Sequence, residues 1–287
     1  MKIPSNVVVK TGPLPGKTVA IFCGVHGNER AGIMAVDRLL DELVLISGTV
    51  YFVYANPPAI EQNVRLVDVN LNRLFVRTEG ASSLYEHQRA AELMDLLDEC
   101  DALLDLHSYR APLLLERATP FAICEAPSMN VARLFDVPFV INGFSDTQDG
   151  GSDGYMYRNG KIGICVELGA LECPEAFVEL GMETVRRFLA AFGCIEGSSE
   201  GSAVASFEPT DSAVRLQTQL HLTKMHKKTL EPFTFAQDFR SFDRINAGEL
   251  IATEGASSIF AVEDAYILFP NANDPIGIEA FLLAQGS

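Results

Sequence analysis

The chain has 287 residues, which is long enough for one substantial hydrophobic core and a second, smaller unit. Its 22 basic and 38 acidic residues give a net charge of −16, which argues against nucleic acid and anionic membranes as partners, because both require a basic footprint. The N-terminus lacks the pattern of a signal peptide, and no apolar run approaches membrane-spanning length. The six cysteines show no paired C-x-x-C spacing, which predicts reduced core residues in a cytoplasmic protein.

Strand-like apolar runs alternate with helical patterns through the first two thirds of the chain. The runs cover residues 7–9, 18–25, 49–55, 102–107, 139–141 and 163–168. Apolar stripes at helical spacing are formed by Ile33, Val36, Leu40 and Leu43, by Ala90, Leu93, Met94 and Leu97, and by Phe177, Leu180, Thr184, Phe188 and Phe192 after Pro174. The alternation predicts an α/β fold, which we expect to be a mixed sheet flanked by helices.

The second run ends at His26-Gly27-Asn28-Glu29, and a later run ends on His107. A strand-to-helix turn holds His26 and Glu29 on one side of the backbone if Glu29 enters the first helical turn, with Asn28 as its cap. Imidazole and carboxylate suit zinc, and three protein ligands leave a coordination position open. His26, Glu29 and His107 are therefore predicted to bind one catalytic zinc ion per chain. The alternative is a buried histidine beside a favourable helix N-terminal charge.

Zinc-assisted amide hydrolysis also requires a base and cationic groups near the developing oxyanion. Glu167 lies in the run 163–168, near the strand end where open α/β sheets present functional side chains. It suits a structural hydrogen bond as well as it suits a base. Residues 65–75 combine two arginines, two asparagines and an aspartate in a loop-like segment. The planar arginine fork suits carboxylates, although an exposed Asp–Arg turn is an alternative for this segment.

The chain changes character after a small, polar, glycine-rich stretch at residues 196–202, the best candidate for a linker. We predict an α/β catalytic domain over residues 1–195 and an all-β domain over residues 204–287, where short alternating segments are broken by turns. Residues 149–154 are predicted to be a loop bordering the pocket. A solvated basic face is predicted for His221, Lys224, His226, Lys227 and Lys228.

Four motifs together resemble the succinylglutamate desuccinylase and aspartoacylase family. They are His26-Gly27-Asn28-Glu29, Asn70-Leu71-Asn72-Arg73-Leu74-Phe75, Asp105-Leu106-His107 and Val166-Glu167-Leu168-Gly169. Residues 247–252 and 266–271 look like the C-terminal domain of succinylglutamate desuccinylases in particular. The resemblance covers nearly the whole chain and implies a fold similar to zinc carboxypeptidases.

The resemblance also implies a role for each matching residue. His26, Glu29 and His107 would bind zinc, and Glu167 would be the general base. Arg65 would polarise the scissile carbonyl, while Asn72 and Arg73 would hold the α-carboxylate of the substrate. A second substrate carboxylate needs another cation, for which Arg110 and Arg158 are both candidates.

These inferences predict zinc-dependent hydrolysis of the amide bond of a small anionic N-acyl amino acid. N-succinylglutamate, which would give succinate and glutamate, is the leading substrate. The alternatives are an aspartoacylase-like deacylase of another N-acyl amino acid and a zinc carboxypeptidase, and outside catalysis a zinc- or ligand-binding protein without turnover. The sequence leaves the oligomeric state open.

Overall fold

The computed structural model describes residues 3–78, 82–110, 118–147, 150–172, 174–197 and 217–286. The strands in chain order are β1 Val7–Thr11, β2 Leu14–Cys23, β3 Ser47–Tyr54, β4 Ala102–Tyr109, β5 Phe121–Ile123, β6 Phe139–Asn142, β7 Ile162–Ala170, β8 Thr218–Lys227, β9 Phe233–Phe235, β10 Arg244–Ile245, β11 Leu250–Glu254, β12 Ser257–Phe260, β13 Ala265–Leu268 and β14 Glu279–Gly286. The helices are α1 Arg30–Glu42, α2 Pro57–Gln62, α3 Tyr85–Asp98, α4 Met129–Ala132, α5 Phe144–Thr147, α6 Ser152–Arg158 and α7 Glu175–Ala191, with a short 3₁₀ turn at Leu71–Arg73.

The larger sheet is mixed and has 11 strands in the order β1-β3-β2-β4-β7-β5-β6-β8-β14-β13-β10. Its centre is parallel, since β2 pairs with β3 and β4, and β4 pairs with β7, all in the same direction. Strand β5 enters antiparallel to β7, which makes the sheet mixed. The predicted fold class is confirmed.

Helices cover both faces of this parallel centre, which explains why its strands are apolar without interruption. On β2, Ile21 faces a core that includes the buried faces of α1 and α7. The neighbouring Phe22 faces the opposite core, which includes α3 and α6. The register of β4 and β7 places His107 opposite Glu167, so the carboxyl ends of the central strands meet at one edge.

Strand β2 ends at Cys23, two residues earlier than the sequence predicts. Gly24 has φ +66°, a left-handed conformation that turns the chain out of the strand. His26 therefore lies in the turn after the strand and not on its last residue.

The C-terminal segment is an all-β domain, as predicted, but its strands also extend the larger sheet. Strand β8 pairs in parallel with β6 and antiparallel with β14. A separate three-stranded sheet has the order β12-β11-β9. The boundaries 1–195 and 204–287 stay a prediction, and most of the predicted linker at 196–202 lies outside the described residues.

Aromatic rings join the C-terminal segment to the preceding strands β5 and β6 of the larger sheet. Phe139 stacks on Phe242 with ring centroids 4.0 Å apart, and the buried Phe121 meets Phe242 at 5.1 Å and Phe269 at 5.5 Å. The two parts therefore share a continuous apolar contact as well as a sheet.

The predicted solvated basic face is wrong at two positions. Lys228 is buried, and its ammonium donates to the carbonyls of Ala272 at 2.9 Å and Asp274 at 3.0 Å. His226 is half-buried and stacks on Phe281. Lysine provides three donors on a long stem, so it is able to satisfy several carbonyls of one loop from inside. Among the residues that the structure describes, no helix has both the length and the apolar character needed to cross a membrane.

Candidate active site

The turn after β2 delivers His26 and Glu29 to the edge of the sheet. The amide of Glu29 donates to the carbonyl of His26 at 3.2 Å, and α1 begins one residue later, at Arg30. The prediction that Glu29 lies in the first helical turn and Asn28 caps it is wrong. Glu29 is the N-cap residue, and no side chain caps this helix. Its carboxylate instead turns away from the helix, toward two histidines.

His26, Glu29 and His107 form a buried cluster. The two oxygens of Glu29 lie 2.6 Å from His26 Nδ1 and 2.9 Å from His107 Nδ1. One ligand atom from each residue lies within 4.8 Å of the others, which is close enough for one metal ion. Among the described residues, this is the cluster of histidine, cysteine and carboxylate side chains with that property.

An oxygen atom lies near the outer nitrogen of each of these histidines. Asn70 Oδ1 lies 3.0 Å from His26 Nε2 and also accepts from the backbone amide of Asn72 at 3.0 Å, so the amide oxygen faces the ring. Asp105 Oδ2 lies 3.2 Å from His107 Nε2. Asn70 therefore accepts from the Nε2–H of His26, whereas Asp105 lies at ion-pair distance from His107 Nε2, which has no hydrogen-bond partner. Two imidazoles and a carboxylate are donors that suit a zinc ion, and oxygen atoms near the outer nitrogens are typical of metal-binding histidines.

Asp105 and Asn70 belong to the sequence motifs, but the sequence predicts a role for neither residue. For Asp105 the signal was available, because residues two apart on a strand share a face, and Asp105 and His107 are both on β4. Ser152, at the start of α6, donates to Asp105 Oδ2 at 2.5 Å. Residues 149–154 were predicted to be a loop, but α6 begins within them, at Ser152. Asp149 lies outside the described residues.

The buried charges in the cluster stabilise one another. Burial would raise the pKa of Glu29, but the two histidines hold it well below its ordinary value. Burial would lower the pKa of His107, but Asp105 and Glu29 hold it well above the usual range. The pKa of His26 is lowered, because burial outweighs the attraction of Glu29. The cluster thus favours an ionised Glu29 beside a protonated His107.

Glu167 lies opposite His107 on the adjacent strand β7. Its Oε2 is buried and has no hydrogen-bond partner, an unusual state for a carboxylate oxygen inside a protein. Burial raises its pKa to about 8, against the opposing effect of His107. A carboxyl group with a pKa near neutrality both accepts and returns protons.

Arg65 reaches the cluster from the solvent side. Its Nη1 lies 3.1 Å from Glu29 Oε1, and 51% of the side chain is exposed. Arg73 is exposed and donates to the carbonyl of Asn72 at 2.8 Å, while Asn72 Oδ1 is buried without a partner. The structure thus brings Arg65 into the cluster and places Asn72 and Arg73 on the 3₁₀ turn beside Asn70.

The two candidates for a second carboxylate differ in their surroundings. Arg158 is at the end of α6 and donates to the carbonyl of Phe75 at 2.8 Å, so it braces the segment that carries Arg73. Arg110 is exposed and follows β4 directly. Burial raises the pKa of Asp274, while Arg110 and Arg65 oppose that rise, so this carboxyl from the C-terminal domain lies near both arginines. Neither candidate contacts Glu29.

At its strand ends this α/β sheet presents a buried histidine–glutamate–histidine cluster with the spacing of a metal site and, on the adjacent strand, a glutamate whose Oε2 has no hydrogen-bond partner. This arrangement is typical of hydrolases that use a metal ion. The family model described as "Succinylglutamate desuccinylase/Aspartoacylase catalytic domain" matches residues 15–192, and the "AstE/AspA barrel-sandwich hybrid domain" matches residues 215–285. The chain belongs to the succinylglutamate desuccinylase/aspartoacylase family, a family of hydrolytic deacylases.

Individual relatives agree with this assignment. The chain is 26% identical over 302 residues to the succinylglutamate desuccinylase of Shewanella frigidimarina, across 95% of this chain and 84% of the relative. Its fold is similar to the crystal structure of succinylglutamate desuccinylase from Vibrio cholerae, with a TM-score of 0.78 and 20% identity over 98% of this chain and 85% of the other. It is also similar to a product-bound structure of the ectoine utilization protein EutE (DoeB) from Ruegeria pomeroyi, with a TM-score of 0.71 and 19% identity over 97% and 88% of the two chains.

Proposed function

We propose that the protein is a zinc-dependent amidohydrolase that cleaves the amide bond of a small anionic N-acyl amino acid, with N-succinylglutamate as the leading substrate. The products would be succinate and glutamate. The observation that carries the proposal is the buried donor set of His26, Glu29 and His107 with the unpaired carboxyl of Glu167 on the adjacent strand.

His26 Nδ1, Glu29 and His107 Nδ1 would hold the zinc ion. A zinc ion bound there would supply Lewis acidity toward water and the substrate carbonyl. Asn70, which contacts His26 Nε2, and Asp105, which lies 3.2 Å from His107 Nε2, would orient the two imidazoles for this task.

Glu167 would act as general base and then as general acid. As water adds to the scissile carbonyl carbon, Glu167 takes one proton from it. The same carboxyl then gives that proton to the departing amine nitrogen as the C–N bond breaks. The absence of a hydrogen-bond partner at Oε2 supports this role, because the oxygen is available for water or substrate.

Arg65 would meet the negative charge that develops on the carbonyl oxygen, since its guanidinium reaches the ligand cluster from the open side. Asn72 and Arg73 would hold the α-carboxylate of the substrate by donating from the side-chain amide nitrogen and the guanidinium. Arg110 and Arg158 remain the candidates for a second carboxylate. Of these, Arg110 fits better, because a hydrogen bond to Phe75 already engages Arg158.

A cytoplasmic location is part of the proposal. The described cysteines Cys23, Cys100, Cys124, Cys165 and Cys194 are free and buried, which supports a reducing compartment.

Steady-state hydrolysis by the zinc-loaded protein tests the proposal. N-succinylglutamate, N-succinylarginine, N-acetylaspartate and a dipeptide with a free C-terminus are compared by kcat/KM. Preference for N-succinylglutamate supports the full proposal. Preference for another N-acyl amino acid supports the same reaction with a different substrate. Preference for the dipeptide favours a carboxypeptidase. Zinc binding without turnover of any N-acyl amino acid would contradict the proposed function.

A further inference from the structure

A fully buried carboxylate outside the candidate site, Glu86 on α3, is bound almost entirely by backbone amides. It accepts from Val67 N at 2.7 Å, Asp68 N at 3.0 Å and Val69 N at 3.3 Å, and from the side-chain amide of Asn56 at 3.2 Å. Burial would raise the pKa of Glu86, but these donors hold it below its ordinary value. The group is therefore a charged acceptor for three successive amides of one loop.

The same loop returns a contact to α3. Asp68 Oδ2 accepts from the amide of Tyr85, the first residue of the helix, at 3.0 Å. The N-cap residue Leu84 provides no side-chain hydrogen bond, so Asp68 caps the helix from a distant part of the chain. Glu86 and Asp68 thus form a reciprocal pair of contacts, each carboxylate accepting from the backbone of the other segment.

The segment fixed in this way carries two residues of the candidate site. We call residues 64–70 the arginine loop. At one end Arg65 contacts Glu29, and at the other Asn70 contacts the Nε2 of His26. The three amides bound by Glu86 lie between these two residues in the sequence. A shift of the loop would therefore displace both contacts to the ligand cluster.

We propose that Glu86 is a positioning residue that holds the arginine loop, so that Arg65 and Asn70 meet Glu29 and His26. The proposal rests on the proposed function for the role of Arg65, and on the ligand cluster alone for the role of Asn70. A hydrogen bond to the backbone tolerates changes in the side chains of the loop, so Glu86 fixes the loop independently of what the loop binds. Three amides left without an anionic acceptor would be free to exchange with solvent.

The test uses Glu86→Gln, with Asp68→Ala as a second variant that removes the reciprocal contact at an exposed residue. The matched control is Glu254→Gln, because Glu254 is also buried and accepts from the backbone amides of Thr229 and Leu230, in the C-terminal domain. Hydrogen–deuterium exchange is measured for peptides covering the arginine loop. The dissociation constant of Zn²⁺ is measured by competition with a chelator, at a temperature where every variant is folded.

We expect both loop variants to speed exchange in the arginine loop at least tenfold and to weaken zinc binding by about tenfold, the lower end of the effect of outer contacts to metal-binding histidines. The control is expected to change neither. Unchanged exchange in Glu86→Gln would overturn the anchoring role, and faster exchange with wild-type zinc affinity would overturn the positioning of Asn70.

Kinetics test the part that depends on Arg65. Glu86→Gln is expected to lower kcat about tenfold in the wild-type background and to have little effect in an Arg65→Ala background, because residues acting through one another are not additive. Equal losses in both backgrounds would overturn positioning through Arg65. If the wild-type protein hydrolyses no N-acyl amino acid, the proposed function fails, while exchange and zinc affinity still decide the role of Glu86.

Discussion

His107 and Glu167 are direct register partners on the adjacent parallel strands β4 and β7. The pairing puts a candidate metal ligand and a candidate base at the same height on one sheet edge. It requires no loop to bring them together, so their separation is set by backbone hydrogen bonds between the two strands. Such a placement makes the geometry of these two groups as rigid as the sheet itself.

Glu167→Gln is expected to lower kcat by about 100- to 10,000-fold, the usual contribution of a general base, while zinc affinity changes little. The amide keeps the shape of the side chain but accepts no proton. Activity and chelator competition on the same samples provide the measurement. Glu179→Gln, at an exposed position on α7, is the control. Near-wild-type turnover by Glu167→Gln would exclude Glu167 as the base.

Asp105→Asn is expected to weaken zinc binding by about 10- to 100-fold, because the negative charge 3.2 Å from His107 Nε2 is lost. Asp101→Asn is the matched control. That residue directly precedes the first residue of β4, at the end of the strand away from His107, where it accepts from the amide of Thr18 and pairs with Lys17. The control should lose some stability and keep its zinc affinity. Equal zinc affinities for the two variants would contradict a role for Asp105.

Phe121→Ala is expected to destabilise the protein by about 3–5 kcal/mol, since it removes a fully buried ring from the aromatic contact between β5 and the C-terminal domain. Urea denaturation followed by circular dichroism and by intrinsic fluorescence provides the free energy. Phe260→Ala, whose ring is 52% exposed, should change it by less than about 0.5 kcal/mol. If Phe121→Ala lowered the free energy of unfolding no more than Phe260→Ala does, the ring contact would contribute little to stability.

The stabilising effect of Glu86 should depend on pH in a defined direction. Because its pKa is lower in the folded protein than its ordinary value of about 4.3, the contribution is complete above that value and is lost as the pH falls through the folded pKa. The difference in unfolding free energy between the wild type and Glu86→Gln should therefore shrink on acidification from pH 7. For Gln88→Ala, a neutral change on the same helix, the difference should stay level. A growing difference for Glu86→Gln at low pH would contradict the assignment.

Sequence reasoning recovered the parts of the molecule that depend on local pattern. The buried central strands, the three apolar helix stripes and the family were predicted, and so was the C-terminal all-β domain. His26, Glu29 and His107 were singled out because each follows an apolar run, and the structure brings them together. Their role as zinc ligands stays a prediction.

The parts that were missed depend on contacts between distant segments. Glu86 meets amides 17 to 19 residues earlier in the chain, and no periodicity within α3 distinguishes it from an exposed helix carboxylate. Strand β5 has only three residues, too few for an alternating pattern. Lys228 was predicted to be exposed because its side chain is charged, but it is buried. The carbonyls to which it donates belong to a loop more than 40 residues away in the sequence.

The parallel pairing of β6 with β8 has a consequence for dissecting this protein. A fragment that ends before β8 would leave β6 as a free edge with unpaired amides and carbonyls, and it would uncover the ring of Phe121, which is buried in the whole chain. Such an edge recruits other chains and favours aggregation. The catalytic segment is therefore unsuited to expression by itself, and attempts to change the substrate by exchanging C-terminal domains between relatives must also preserve the strand that closes this sheet.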